Sequence, residues 1–179
     1  DYSEAARAYI ACQMEFDQAV QYLIEQLDAA GILDDTVIVI SGDHYPYGLE
    51  KSEIDELAGE TVEENFELYH STLIIWNSAM EEPVEINKPC CSLDILPTLS
   101  NLFGVEYDSR LLMGRDILSD SEGLVVFSDH SWLTEKGRYN ASADEFIPAD
   151  GEEVDASYAQ NMMTKVNAMF DYSAKILDE

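Results

Sequence analysis

The residues best suited to chemistry are the three histidines and the acids beside them. Gly42-Asp43-His44 ends the β-branched run Thr36-Val37-Ile38-Val39-Ile40; a second pair, Asp129-His130, follows Leu124-Val125-Val126-Phe127-Ser128; His70 stands before Ser71-Thr72-Leu73-Ile74-Ile75-Trp76. A carboxylate oxygen beside an imidazole nitrogen suits zinc, manganese or another first-row divalent ion. Gly42 would let the chain turn as it leaves a strand, so that two consecutive side chains aim at one cation rather than at opposite faces. An Asp-His dipeptide is equally at home in an ordinary turn. Asp129-His130 is the internal control, because it too follows an apolar run but lacks the glycine. His70 reads as a boundary histidine. There is no G-x-S-x-G, no P-loop, and no reactive-looking cysteine with a matched histidine.

The elements around these residues are legible from periodicity. Tyr9, Cys12, Phe16, Val20, Leu23 and Leu27 recur at helical spacing, with Gly31 where a C-terminal cap belongs, which predicts a helix over 3–30. Residues 36–40 are apolar on both faces, as a central strand of a covered parallel sheet would be. A short helix is expected over 52–58, strands over 71–76 and 84–86, and a helix over 92–103 that begins near Pro97 and stops at Gly104. Leu111–Leu118 reads as a loop with a helical turn, 124–128 as a strand, 131–140 as a hairpin around Lys136-Gly137, and 154–177 as a final helix. A helix leading into an apolar strand implies an α/β fold with ligands at the strands' carboxyl ends.

The totals limit the function classes. The chain has 179 residues, 46% hydrophobic, with 37 acidic and 9 basic side chains and a net charge of −28. Nucleic acid is excluded as a partner, since binding it draws on clustered Lys and Arg. No apolar run approaches the roughly 20 residues of a membrane span. Three cysteines, two of them adjacent, make no disulfide framework and are expected as buried thiols. The chain begins at Asp1 rather than Met and reads as a piece of something longer.

Taken in order, "LDAAGILDDTVIVISGDH", "STLIIW", "SLDILPTLSNLFGV", "LLMGRDILS", "VVFSDHSWLTEKGRYN" and "FDYSAKILD" resemble the carboxyl half of the sulfatase and alkaline phosphatase superfamily, with wording nearest the lipoteichoic acid synthase branch of phosphoglycerol transferases. The resemblance implies a mixed, mostly parallel sheet flanked by helices, with residues 1–179 forming the carboxyl-terminal part of one sulfatase-like catalytic domain. It implies Asp43 and His44 as ligands of a divalent ion, manganese or magnesium first and zinc or calcium as alternatives. His130 would be a neighbour of the site, in a second shell or against substrate. The nucleophilic threonine and a further ligand carboxylate would precede this chain. The implied substrate is an anionic phosphodiester lipid of the phosphatidylglycerol type, handled at the extracytoplasmic face of the cell membrane. Pro46-Tyr47-Gly48 after the pair departs from the family's usual wording, as does Asp129-His130.

The competing expectations are a sulfatase or phosphodiesterase of the same superfamily, and a non-catalytic acidic module that binds cations or a partner. The missing amino-terminal half of the domain is itself an expected partner. Strand edges left open without it would favour self-association.

Overall fold

A computed structural model describes residues 2–177. The chain divides into two compact units, Asp1–Pro83 and Val84–Glu179.

In the first unit, α1 (Glu4–Ala29) starts at Ser3, whose hydroxyl accepts the Ala6 N–H at 3.2 Å, and is left through Gly31 at φ 70°. Gly31 takes this left-handed conformation without a Cβ penalty. Strand β1 (Ile38–Ser41) pairs antiparallel with β2 (Leu73–Trp76), Ile38 opposite Trp76 and Ser41 opposite Leu73. Between them lies α2 (Lys51–Ala58), closed by a reciprocal Glu50/Glu53 capping box and by Gly59 at φ 76°. The Glu56 carboxylate accepts the Ser3 N–H at 2.9 and 3.1 Å, tying the start of α1 to α2.

The expected parallel pairing is corrected here: every strand pairing among the described residues is antiparallel. The apolar composition of β1 suits a strand covered on both faces, but composition does not encode the direction of its neighbour. The excursion between β1 and β2 contains the short α2 and one 3₁₀ turn, and it returns the chain as an antiparallel partner. Val39 and Ile74, which the register puts on opposite faces of the pair, are both exposed. Most of the apolar side of α1 is exposed too, including Cys12, Phe16 and Leu23, so Cys12 is not the buried thiol expected from helical spacing.

The second unit is a four-stranded antiparallel meander, β3 (Val125–Val126), β4 (Trp132–Thr134), β5 (Gly137–Asn140) and β6 (Glu145–Pro148), with the helix α4 (Tyr158–Leu177) against it. Leu124, Trp132, Met162 and Val166 form the core, and Tyr139, Phe146, Tyr158 and Phe170 pack around them. The hairpin at Lys136-Gly137 is present; a Cβ on Gly137 would lie 2.4 Å from the Ile147 carbonyl oxygen. No strand forms at 84–86, and β6 is an element the sequence reading did not expect.

Upstream, a 3₁₀ turn (Ser92–Asp94) leads into α3 (Ile95–Leu102), with Pro97 in the first turn where its missing N–H costs nothing. Asp94 is buried, and its carboxylate accepts the N–H of Cys91 at 2.8 Å and of Arg115 at 2.7 Å. Thr98 Oγ1 donates to the Asp94 carbonyl at 2.6 Å and accepts from Ile117 N–H at 3.0 Å. Gly114 lies so close that an added Cβ would be 1.9 Å from the Leu93 carbonyl oxygen. "SLDILPT" and "MGRDI", separate in sequence, thus form one packed substructure.

Candidate functional site

Asp43 and His44 follow directly on Ser41 and Gly42 at the carboxyl end of β1. Gly42 is not at positive φ, and its freedom to turn is not what the position uses. It lies against Ser71, whose Cβ and Oγ would be 3.1 and 3.3 Å from an added Cβ. The glycine therefore allows the start of this loop to lie close beside the chain entering β2.

The two side chains converge. His44 Nε2 is 3.3 Å from Asp43 Oδ2, while Asp43 Oδ1 accepts the His44 backbone N–H at 2.9 Å. His44 Nδ1 is 2.7 Å from the Tyr45 carbonyl oxygen. A carbonyl only accepts, so Nδ1 carries the proton and donates it. In a neutral ring Nε2 is then a lone pair turned toward a carboxylate, an arrangement that a cation between them makes favourable. Both groups are open to solvent, with side chains 85% and 45% exposed for Asp43 and His44.

The donor set fits a divalent ion. A separation of 3.3 Å is close to the spacing of two donors on one tetrahedral ion with bonds of about 2.1 Å. Two donors do not complete a coordination sphere, and among the described residues no group of three or more His, Cys, Asp or Glu side chains is placed to hold a metal. The remaining ligands would come from elsewhere.

His130 belongs to the second unit. It sits in the β3–β4 turn at φ 70°, its ring stacked on Phe170 with centroids 4.0 Å apart and planes 4° apart, and Nδ1 is 2.6 Å from Asn167 Oδ1. The neighbouring Asp129 carboxylate is engaged by the Ser131 N–H and hydroxyl, both at 2.9 Å. The two Asp-His dipeptides thus differ in kind: in the first, acid and ring face each other, while in the second each is bound to something else. His70 ends a 3₁₀ turn (Glu67–Tyr69), its N–H bonded to the Glu67 carbonyl, as a boundary residue would be.

Neither thiol of the second unit offers a nucleophile. Burial pushes Cys90 and Cys91 up, and the charge of Asp94 adds to it, the opposite of what an activated thiolate needs. An open groove of about 450 Å³ between α1 and α2 is lined by Tyr9, Ile10, Met14, Leu57 and a few polar side chains, and it contains no facing acid and base.

Sequence reasoning missed the aromatic surround of His44. The Tyr47 ring stacks on the imidazole, 4.2 Å between centroids and 9° between planes; Tyr45 meets Tyr47 edge-on at 4.6 Å, and Tyr69 meets Tyr45 edge-on at 5.7 Å. The signal was the spacing His-x-x-Tyr across a proline.

The chain was compared with known proteins. The Sulfatase family model matches residues 2–105, more than half of the chain. Lipoteichoic acid synthase of Staphylococcus saprophyticus is 27% identical over 135 residues, covering 73% of this chain and 21% of that protein. Lipoteichoic acid synthase 1 of Bacillus subtilis is 24% identical over 178 residues, 95% of this chain and 27% of its own length. The crystal structure of the lipoteichoic acid synthase LtaP from Listeria monocytogenes superimposes with a TM-score of 0.70 at 22% identity, over 91% of this chain and 43% of that one. The chain therefore spans about a quarter of the length of the curated relatives it matches. With that fold shared and the greater part of the chain matched, it belongs to the Sulfatase family, where its relatives are the lipoteichoic acid synthases.

Proposed function

We propose that this chain is the carboxyl-terminal part of a metal-dependent phosphoglycerol transferase of the lipoteichoic acid synthase type, and that Asp43 and His44 are two of the ligands of its divalent ion. The observation that carries this reading is the facing of Asp43 Oδ2 and His44 Nε2 at 3.3 Å, with the imidazole tautomer set by the Tyr45 carbonyl. The ion, manganese or magnesium, would neutralise phosphodiester charge and lower the pKa of a bound hydroxyl. Asp43 supplies negative charge and His44 a fixed lone pair. The Tyr45 carbonyl, by accepting a hydrogen bond from Nδ1–H, keeps that lone pair available.

The same ion accounts for an anionic substrate beside a chain of net charge −28, because the local potential at a metal site outweighs distant screened carboxylates. The nucleophile and the remaining ligands come, in this reading, from the part of the domain that precedes these residues. That part also covers apolar side chains that β1–β2 leaves exposed, Val39 on one face and Ile74 on the other. Left open, the strand edges offer a route to self-association. In this reading His130, held within its own unit by Asn167 and Phe170, would serve in a second shell or against substrate. The site works at the extracytoplasmic face of the membrane; among the described residues no helix is long and apolar enough to cross one.

The test is release of glycerophosphate from a phosphatidylglycerol analogue by the domain joined to its preceding part, with and without Asp43→Ala. Loss of turnover on substitution is expected. A metal-loaded but inactive unsubstituted protein would count against the transferase and favour a sulfatase or phosphodiesterase; ion binding indifferent to Asp43 would favour a non-catalytic acidic module.

A further inference from the structure

We propose that Tyr47 is a positioning residue for His44: its ring holds the imidazole in the one orientation that points Nε2 at Asp43, and so sets the affinity of this pair for a divalent ion. The inference rests on the metal-site reading above and deepens it.

Three contacts define the His44 ring. Nδ1 is tied to the Tyr45 carbonyl at 2.7 Å, Nε2 faces Asp43 Oδ2 at 3.3 Å, and one face lies on Tyr47 at 4.2 Å and 9°. The first two lie at the ring's edge and leave the exposed side chain able to swing out of the loop. Among the described residues, the Tyr47 stack restrains it from the face. Tyr47 is the second residue of a turn, in which the Pro46 carbonyl accepts the Leu49 N–H at 3.1 Å. Tyr45 buttresses Tyr47 edge-on, and Tyr69 in turn meets Tyr45 edge-on, the perpendicular geometry that aromatic quadrupoles favour.

A core role does not explain Tyr47, which is 66% exposed. Its ring contacts are with His44 and with the tyrosine next to that histidine. Outer contacts that orient a ligating histidine change metal affinity by about 10- to 100-fold when removed.

The experiment uses the 179-residue chain and Mn²⁺ alone, following paramagnetic broadening of the His44 ring resonances by NMR. Unsubstituted protein and Tyr47→Phe are expected to broaden at the same Mn²⁺ concentration and to keep the upfield ring-current shift of His44. Tyr47→Leu is expected to lose that shift and to need about 10-fold more Mn²⁺, with amide signals outside residues 42–50 unchanged because the side chain is exposed. Equal Mn²⁺ sensitivity of Tyr47→Leu and unsubstituted protein overturns the positioning role while leaving the metal pair standing. His44 broadening that persists at the same Mn²⁺ concentration in Asp43→Ala overturns the metal pair and, with it, this inference.

Discussion

The Asp94 carboxylate lies 2.7 Å from the backbone nitrogen of Arg115, a residue 21 positions further along the chain. Its other oxygen accepts the Cys91 N–H at 2.8 Å, so one buried side chain satisfies two backbone donors and fastens the 112–118 loop to the start of α3. Asp94→Ala leaves both N–H groups without that acceptor. The expected loss is about 2–6 kcal/mol, from roughly 1–3 kcal/mol for each of the two stranded donors. Asp94→Asn keeps one carbonyl acceptor and should lose about half as much. Urea unfolding followed by Trp132 fluorescence in a Trp76→Phe background checks both, since Trp132 lies in the core of the same unit.

Gly42→Ala should cost less and in a different way. An added Cβ meets Ser71 Cβ at 3.1 Å and Oγ at 3.3 Å, a contact that a shift of a few tenths of an ångström relieves. About 1 kcal/mol is expected. Ser71→Gly should restore it, because the two side chains compete for one space. A double-mutant thermal melt with non-additive effects on Tm is the expected result; additive losses would mean that the glycine serves backbone freedom instead.

Much of this architecture was legible beforehand, for reasons that differ by residue. Helix α1 declares itself through Tyr9, Phe16 and Leu23, and the Lys136-Gly137 hairpin through its turn glycine. The place of Gly42-Asp43-His44 at a strand's carboxyl end was legible from the β-branched run before it. Strand direction was not legible: Val37 to Ile40 would read the same beside a parallel or an antiparallel neighbour. Strand β6 was hidden because Glu145 and Pro148 are poor strand formers, accepted here at the end of a meander. Asp94 was hidden within the helical stretch 92–103, although an acid three residues after Cys91 has capping spacing. The Tyr47 stack was hidden because it depends on how the Pro46–Leu49 turn closes.

Two acidic clusters set the pH response of the first unit. The Asp55 carboxyl is held below the ordinary aspartate value by its hydrogen bond from Lys51 and then by the Val62 N–H. For Glu63, burial raises the pKa, but hydrogen bonds from Asn65, Phe66 and Glu67 outweigh it and the net direction is down. A carboxyl whose folded pKa is depressed contributes stability above its unfolded pKa, and that contribution is lost as pH falls through the folded value. Amide exchange at Val62, Asn65 and Phe66, corrected for intrinsic rate, should therefore accelerate as pH falls below about 4. Unchanged protection between pH 5 and pH 3 would show that these bonds do not hold the loop.

His130 poses a sharper choice between backbone and side chain. At φ 70° it occupies a conformation that costs a non-glycine residue about 1 kcal/mol, and it gains in return the Phe170 stack and the Asn167 hydrogen bond. His130→Gly removes the strain and both contacts together, so the melting temperature should move little. His130→Val keeps neither contact and adds β-branched strain at positive φ, so it should destabilise by about 2 kcal/mol or more. If the histidine serves the turn alone, the glycine variant will also leave turnover of the completed domain unchanged. If it serves substrate, that variant will be stable and impaired, and Asn167→Leu, which leaves the backbone untouched, will share the impairment.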